Sequence, residues 1–334
     1  MRKRLIVLNL RLFEEPETTP VINTTGSAGL SAEMKTFYDK QLIREAGPEL
    51  VHDQFAQTRN IPKNGGKKIE FRKYEQLPKA LTPLTEGVTP EGQDMTVTTI
   101  TAEVKQYGGY IRLSDLLILT AIDNNIVEAT TLIGSQAGRT LDTISREVMN
   151  AGTNVIYGNG SVEARTAITS AMKLTGELVK KAVRALKVQN AKKINGYYVG
   201  IIHPDCDYDL TNDERFIDVV KYKNPERIYK GEIGTYEGVR FVETTEAKKW
   251  ARAGASSVDV YSTLIIGENA YATTKVEGGG LETIIKQLGS GGTEDPLNQR
   301  ATVGWKALKV TEILSQQYMV RIETASTFND NVAN

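Results

Sequence analysis

What this sequence lacks narrows its chemistry first. It has one cysteine, Cys206, and two histidines, His52 and His203, in 334 residues. A single thiol excludes an internal disulfide and suits a reducing compartment. So few imidazoles leave little material for a histidine-rich metal site or a Cys–His nucleophile pair. No run of roughly 18 apolar residues is present, so no segment reads as a membrane-spanning helix. Net charge is missing too: 41 basic side chains balance 41 acidic ones, which argues against affinity built on neutralising phosphates. No fixed-period repeat is visible. The opening Met-Arg-Lys-Arg and the apolar Leu5–Leu8 imitate a targeting signal. Asn9, Arg11, Glu14 and Glu15 break it, and no small-residue cleavage site follows, so it is not read as a secretory signal.

What is present is a long amphipathic pattern. From Asp123 to Asn150 the apolar residues Ile126, Val127, Ala129, Leu132, Ile133, Ala137, Leu141, Ile144, Val148 and Met149 keep gaps of three and four. Asn125, Glu128, Arg139, Asp142 and Arg146 fall mostly elsewhere. Asp123 can cap the start, and Gly152 lies just past the end. Such a helix would run roughly 40 Å at about 1.5 Å per residue, long enough for other elements to be laid along it. Its apolar stripe is expected to face a sheet made of the hairpin base and the C-terminal strand.

At 334 residues the chain exceeds the usual single core of roughly 250–300, so two compact units plus extensions are expected. Residues 14–29 are rich in Glu, Thr, Pro, Asn, Ser and Gly and read as an extended arm. A short helix is expected within Ser31–Leu50. Residues 61–113 turn to period-two patterns. Lys67–Tyr74 carries Ile69 and Phe71 on one face, Met95–Val104 shows a phase slip like that of a bulge, and Tyr107–Leu113 is interrupted by Gly108-Gly109. The connection between the first two runs holds Pro78, Pro83, Pro90, Gly87 and Gly92 and is too long for a compact domain. It reads as the tip of a hairpin that leaves the body.

Further on, a helical stretch from about Ser161 to Lys187 is followed by a buried strand, Tyr197–His203, and a short helix starting at Asp205. Strands are predicted at Val239–Glu243, Tyr261–Ile266 and Ala270–Val276. The interleaving indicates an α/β or α+β unit over roughly 171–305. Tyr318, Val320 and Ile322 mark a final strand that must return to some sheet.

Candidate chemistry fails on inspection. Asp205, Asp207 and Asp209 copy the opening of a calcium loop, but Leu210 and Phe216 stand where glycine and glutamate are required. His203 and Cys206 read as a strand end followed by a helix cap rather than as metal ligands. Gly289–Thr293 and Gly278–Gly280 are glycine-rich without the lysine and helix start of a phosphate cradle. No catalytic residue, metal or cofactor is assigned.

The order of short motifs carries a resemblance. These are Leu8–Phe13, Thr85-Glu86-Gly87-Val88-Thr89-Pro90, Gln106-Tyr107-Gly108-Gly109, His203-Pro204 with Asp209-Leu210, and Gly231–Gly234 with Glu237-Gly238-Val239. In that order they resemble tailed-bacteriophage major capsid proteins of the Hong Kong 97-type fold, in particular the family typified by coliphage N-four. The resemblance implies an α+β subunit with an N-terminal arm (1–55), an extended β-hairpin loop with its base strands (56–112), a peripheral domain (113–170) with a spine helix at 123–150, an α/β axial domain (171–305), and a return strand to the peripheral domain with a tail (306–334).

It further implies a structural protein of the virion capsid, assembled in the bacterial host cytoplasm. Its partners would be other copies of itself in pentamers and hexamers, portal and scaffolding or protease proteins, and enclosed double-stranded DNA without sequence-specific binding. Candidate assembly contacts are Glu86, Gly87, Pro90, Lys68, Arg72, Glu232 and Tyr236. No large amino-terminal scaffolding segment is evident, so a separate scaffold is expected. Nothing at residue level carries over the Lys–Asn cross-linking of the type member. The alternatives are an encapsulin-like nanocompartment shell and a small oligomeric α/β enzyme. A shell agrees with the physics, because rings of five and six close through heterologous contacts made by arms and hairpins. Such elements order on assembly.

Overall fold

A computed structural model describes residues 32–46, 50–61, 66–74, 77–120, 125–213, 234–276 and 280–334. Residues 1–31 of the arm expected over 1–55, and the cap at Asp123, lie outside the described residues. In chain order the elements are α1 (Ala32–Ala46), β1 (Gln57–Ile61), β2 (Lys68–Tyr74), β3 (Val97–Glu103), β4 (Lys105–Ser114), α2 (Asp115–Thr120), α3 (Asn125–Asn150) and β5 (Val155–Tyr157). Then come α4 (Gly176–Val188), β6 (Tyr198–Ile202), α5 (Pro204–Thr211), β7 (Thr235–Tyr236), β8 (Val239–Glu243), β9 (Lys249–Trp250) and β10 (Val260–Ile266). The chain closes with β11 (Tyr271–Val276), β12 (Glu282–Lys286), β13 (Arg300–Lys309), β14 (Thr311–Ile313) and β15 (Met319–Thr324).

Spacing dictates α3. Ile133, Ala137, Leu141 and Met149 recur at helical intervals and are buried, while Glu128, Gln136, Arg139 and Glu147 line the exposed side. Two details depart from the expected stripe. Leu132 is 64% exposed, and Asp142 and Arg146 are buried. The second departure has an electrostatic reason: Asp142 accepts from the His52 backbone N–H at 2.7 Å and pairs with His52 Nδ1 at 2.6 Å. A buried charge is tolerated where a partner satisfies it.

The helix lies on the sheet β12-β13-β4, against Leu113, Ala301, Val303, Trp305 and Ala307. That corrects the expectation for the last strand. Met319–Thr324 does not reach this layer; β15 runs inside the seven-stranded sheet, between β5 and β10. The reason is its second face, where Arg321 and Glu323 are buried as an ion pair instead of facing water. β12 and β13 likewise sit on the spine helix, outside the α/β unit expected to extend to residue 305.

The central sheet is covered on one face by α4, whose Leu178, Val179, Ala182, Val183 and Leu186 pack on Ile202, Ile265, Val320 and Ile322. Each such fully buried aliphatic side chain contributes on the order of 1.5–3 kcal/mol. On the other face Met149, near the end of α3, packs with Val199, Ile201, Leu264, Ile266 and Tyr271. One helix therefore spans both layers, with its first part under β4 and β13 and its last turn under the central sheet.

Three smaller expectations change. The helix expected from Ser161 begins only at Gly176, because the preceding segment is held by Arg165 donating to Glu323 and by Gly176 N donating to Asp213. No bulge interrupts β3, whose ladder with β2 runs unbroken from Lys68↔Glu103 to Tyr74↔Val97. The slip in periodicity arises because Met95 and Val97 are exposed apolar residues, not core. β4 continues through Gly108-Gly109, which pair with Lys306 and Trp305.

Helix α1 crosses α3 at Gly134, where an added Cβ would lie 2.9 Å from Glu45 Cβ and 3.1 Å from the Leu42 carbonyl oxygen. Overpacking of that kind costs about 1–3 kcal/mol, against which helix propensity returns at most about 1. Gly134→Ala is therefore expected to destabilise the subunit by about 1–2 kcal/mol, read as a lower urea midpoint at unchanged slope.

Candidate assembly surfaces

The projecting hairpin is anchored at its base and free at its tip. Odd-numbered side chains of β2 point inward: Phe71 and Ile69 join Ala102, Ile100, Ala272 and Val310 in a small core, and Arg59 stacks over Phe71 at 5.7 Å. Lys73 donates to Ser315 Oγ at 3.2 Å. Lys68, Glu70, Arg72 and Tyr74 form the opposite, exposed face. Beyond the base, residues 77–96 form no regular element and are exposed throughout. The tip turns at Thr85–Val88, where Val88 N donates to Thr85 O at 3.2 Å and Gly87 takes φ +77°, a conformation glycine adopts without steric cost.

The tip has a mixed character. Leu81 and Leu84 are 81% and 78% exposed and Met95 71%. Glu86, Glu91 and Asp94 add acidity against the single Lys79. Exposed aliphatic residues that cluster on one segment mark an interaction surface.

A second surface lies on the face of β12-β13-β4 turned away from α3. There an open trough of about 450 Å³ is lined by Gly108, Tyr110, Ile284, Thr302, Gly304 and Lys306. Tyr110 is exposed and lies against Arg112, whose Nη2 donates to the tyrosine hydroxyl at 2.6 Å. Lys306 pairs with Glu282 at 3.7 Å across exposed surface.

The candidate contacts of the sequence analysis divide clearly. Glu86, Gly87 and Pro90 stand on the tip, and Lys68 and Arg72 on the outer face of the base, all exposed. Tyr236 is a correction: it is 1% exposed, packed in the core with α4, because the edge strand β7 turns that side chain inward. Glu232 lies outside the described residues. The trough was missed, although alternation in 106–112 could have found it. Tyr107, Gly109, Ile111 and Leu113 face the helix, which leaves Gly108, Tyr110 and Arg112 on the other side. The exposed leucines Leu116, Leu117 and Leu119 of α2 were also missed.

The residues weighed for chemistry have structural partners. His203 caps α5, its Nδ1 accepting from Asp205 N at 3.2 Å, and burial lowers its pKa. Burial pushes the Cys206 thiol well above its ordinary range, the opposite of an activated nucleophile.

Residues 124–287, from α3 through β12, match the family described as phage capsid protein. Curated protein sequences give no match. Among solved structures, the capsid of Ralstonia phage GP4 is similar with a TM-score of 0.67 at 12% identity, over 98% of this chain and 99% of that one. The capsid of cyanophage Pam1 gives 0.67 at 14% identity, over 85% and 93% of the two chains. The capsid of cyanophage P-SCSP1u gives 0.63 at 14%, over 82% and 87%. Identities this low carry the fold, an α+β fold of the Hong Kong 97 type. Family and fold together imply a structural role and leave the encapsulin-like alternative less supported. Over residues 124–287 the chain matches the phage capsid protein family, and that match together with the shared fold supports a major capsid shell subunit.

Proposed function

We propose that this shell subunit holds its neighbours through the hairpin of residues 66–104, within pentamers and hexamers of an icosahedral head that encloses double-stranded DNA. The observation that carries the reading is the contrast within the hairpin. Its base is packed into the subunit, while its tip presents exposed leucines that a lone monomer has no reason to keep. The balanced charge of the chain suits a container that does not grip its contents. Scaffolding or protease, portal and DNA partners, and assembly in the host cytoplasm, belong to the same proposal.

The surface best matched to the tip is the trough of a second copy. The tip carries Glu86, Glu91 and Asp94; the trough offers Lys306 and Arg112 beside Tyr110 and Ile284. Complementary charge sets register and encounter rate more than affinity, and the apolar residues supply the burial. Lys68 and Arg72 extend the contact at the base.

The test is expression of the chain, alone and with neighbouring genes, followed by size exclusion and electron microscopy. Shells, rings or sheets are expected; small discrete oligomers under every condition would count against the proposal. Within that assay, Lys306→Glu with Arg112→Glu is expected to lower particle yield about tenfold, and Glu86→Lys, Glu91→Lys and Asp94→Lys added to the same chain to restore most of it. Equal yields from all variants would remove the trough from the contact.

A further inference from the structure

Exposed polar segments outside regular structure usually stay loose unless something ties them down. Here residues 327–334 are exposed, yet they are held by a series of contacts, most of them to buried residues. Ala325 is fixed to the body, its N–H donating to Met172 O at 3.0 Å, so the tail departs from a firm point. Asp209, on α5, then accepts from Ser326 Oγ at 2.7 Å and from Thr327 N at 2.9 Å. Asp259 takes the Asn331 N–H at 2.8 Å, and its own N–H donates to Asn329 Oδ1 at 3.2 Å. Lys249 pairs with Asp330. Asn334 is read on both sides of its carboxamide: Lys249 N donates to Oδ1 at 2.8 Å, and Nδ2 donates to Thr245 O and Ala247 O at 3.2 and 2.5 Å. Arg146, in α3, closes the run by donating to Asn334 O at 3.2 Å.

Two features make this more than a settled surface segment. First, the seat is polar and selective for side chains. Phe328 and Val332 remain 46% and 62% exposed, so apolar contact is limited to the edge of Phe328 against Tyr208, whereas Asn329 and Asn331 each accept one hydrogen bond, the latter from Arg252 Nε, and the Asn334 carboxamide both accepts and donates. Second, the groove does not need the tail to keep its shape. Lys249 and Asp259 also pair with each other at 3.5 Å, Arg252 N donates to Asp259 at 2.8 Å, and Arg146 also donates to Glu246 O at 2.8 Å and to Glu147 at 2.9 Å. Asp209, Lys249, Asp259 and Arg146 are each at least nine-tenths buried. Lys249, Asp259 and Arg146, buried charges fixed by contacts outside the tail with remaining capacity directed at one segment, form a preorganised recognition site.

We propose that this groove is a sequence-specific peptide site for residues 326–334, filled by the chain's own tail in the single subunit and able to take the same segment from a second copy. The tail pivots at Ser326, which leaves β15 in its sheet. An exchanged tail would join the end of one copy's spine helix, through Arg146, to its neighbour. The site stands independently of the hairpin.

The test uses a chain ending at Ala325 and a labelled peptide of residues 326–334, followed by fluorescence anisotropy. The peptide is expected to bind at least about tenfold more tightly than one carrying Asn331→Ala and Asn334→Ala, and at least about tenfold more tightly than it binds the full chain, whose own tail competes. Equal affinity for both peptides, or no binding to a folded truncated chain, overturns the proposal. Should truncation prevent folding, the full chain with Asn331→Ala and Asn334→Ala decides by hydrogen exchange. The amide of Lys249 is expected to exchange at least about tenfold faster than in the parent chain; an unchanged rate overturns the proposal.

Discussion

Deleting residues 78–94 and closing the hairpin with a short Asn-Gly turn should leave a folded subunit that no longer assembles. The segment is exposed along its whole length, so its removal uncovers no core. The base keeps the ladder from Lys68↔Glu103 to Tyr74↔Val97 and the packing of Phe71 on Ala272 and Val310. A shorter loop also costs less to close, by only about 0.6 kcal/mol per halving of length. The melting temperature is therefore expected to move by no more than about 3 °C. Assembly should suffer out of proportion, because every subunit of a ring gives and receives one such contact, so a local loss is repeated at every interface. Particle yield on a sucrose gradient should fall at least about tenfold relative to the parent chain. Normal particles from the deletion would refute the role given to the hairpin.

The second large effect lies in the body. Glu323 is fully buried on β15 between two arginines: Arg165 donates to it from Nε and Nη2 at 2.7 and 2.8 Å, and Arg321 Nε lies 2.8 Å away. Arg165 also stacks on Trp250 at 3.5 Å, and Arg321 donates to the Asn150 carbonyl at the end of α3. This carboxylate ties the segment before α4, the strand β9 and the spine helix to one strand. Replacing a buried pair by well-packed apolar residues is often neutral, but removing one partner leaves uncompensated charge and costs about 3–5 kcal/mol. Glu323→Ala should lose about that much in urea unfolding, with Glu323→Gln losing less because the carboxamide keeps an acceptor oxygen. A loss below about 1 kcal/mol for Glu323→Ala would show that the network stabilises little.

These two cases also show what was legible in the sequence. Regular periodicity was: α3, β6, β8, β10 and β11 fall where the pattern of apolar residues puts them, and α4 occupies the later half of its predicted stretch, because burial writes itself into sequence as a stripe in a helix and as a continuous apolar run in β6 and β10. The projecting hairpin was legible from its prolines and glycines. Buried polar networks were not. Arg321 and Glu323 made β15 look one-faced, and Asp142 and Arg146 looked like the wet side of α3, since a charge satisfied by a distant partner is indistinguishable in sequence from a charge in water. Tyr236 failed as a contact for the converse reason, an aromatic in a polar stretch turned inward by a two-residue edge strand. Alternation in 106–112 puts Gly108, Tyr110 and Arg112 on one face of the strand, but the far wall of the trough comes from their pairing with Lys306, Gly304 and Thr302.

The most direct measurement is a three-dimensional electron-microscopy reconstruction of the assembled particle, at a resolution that traces the chain. The expected result is a closed shell of five- and six-membered rings in which residues 77–96 of each copy leave their own subunit and lie on the β12-β13-β4 face of the next, with Glu86, Glu91 and Asp94 near Lys306 and Arg112. A particle in which every hairpin tip folds back on its own subunit, or projects into solvent without touching a neighbour, would contradict it.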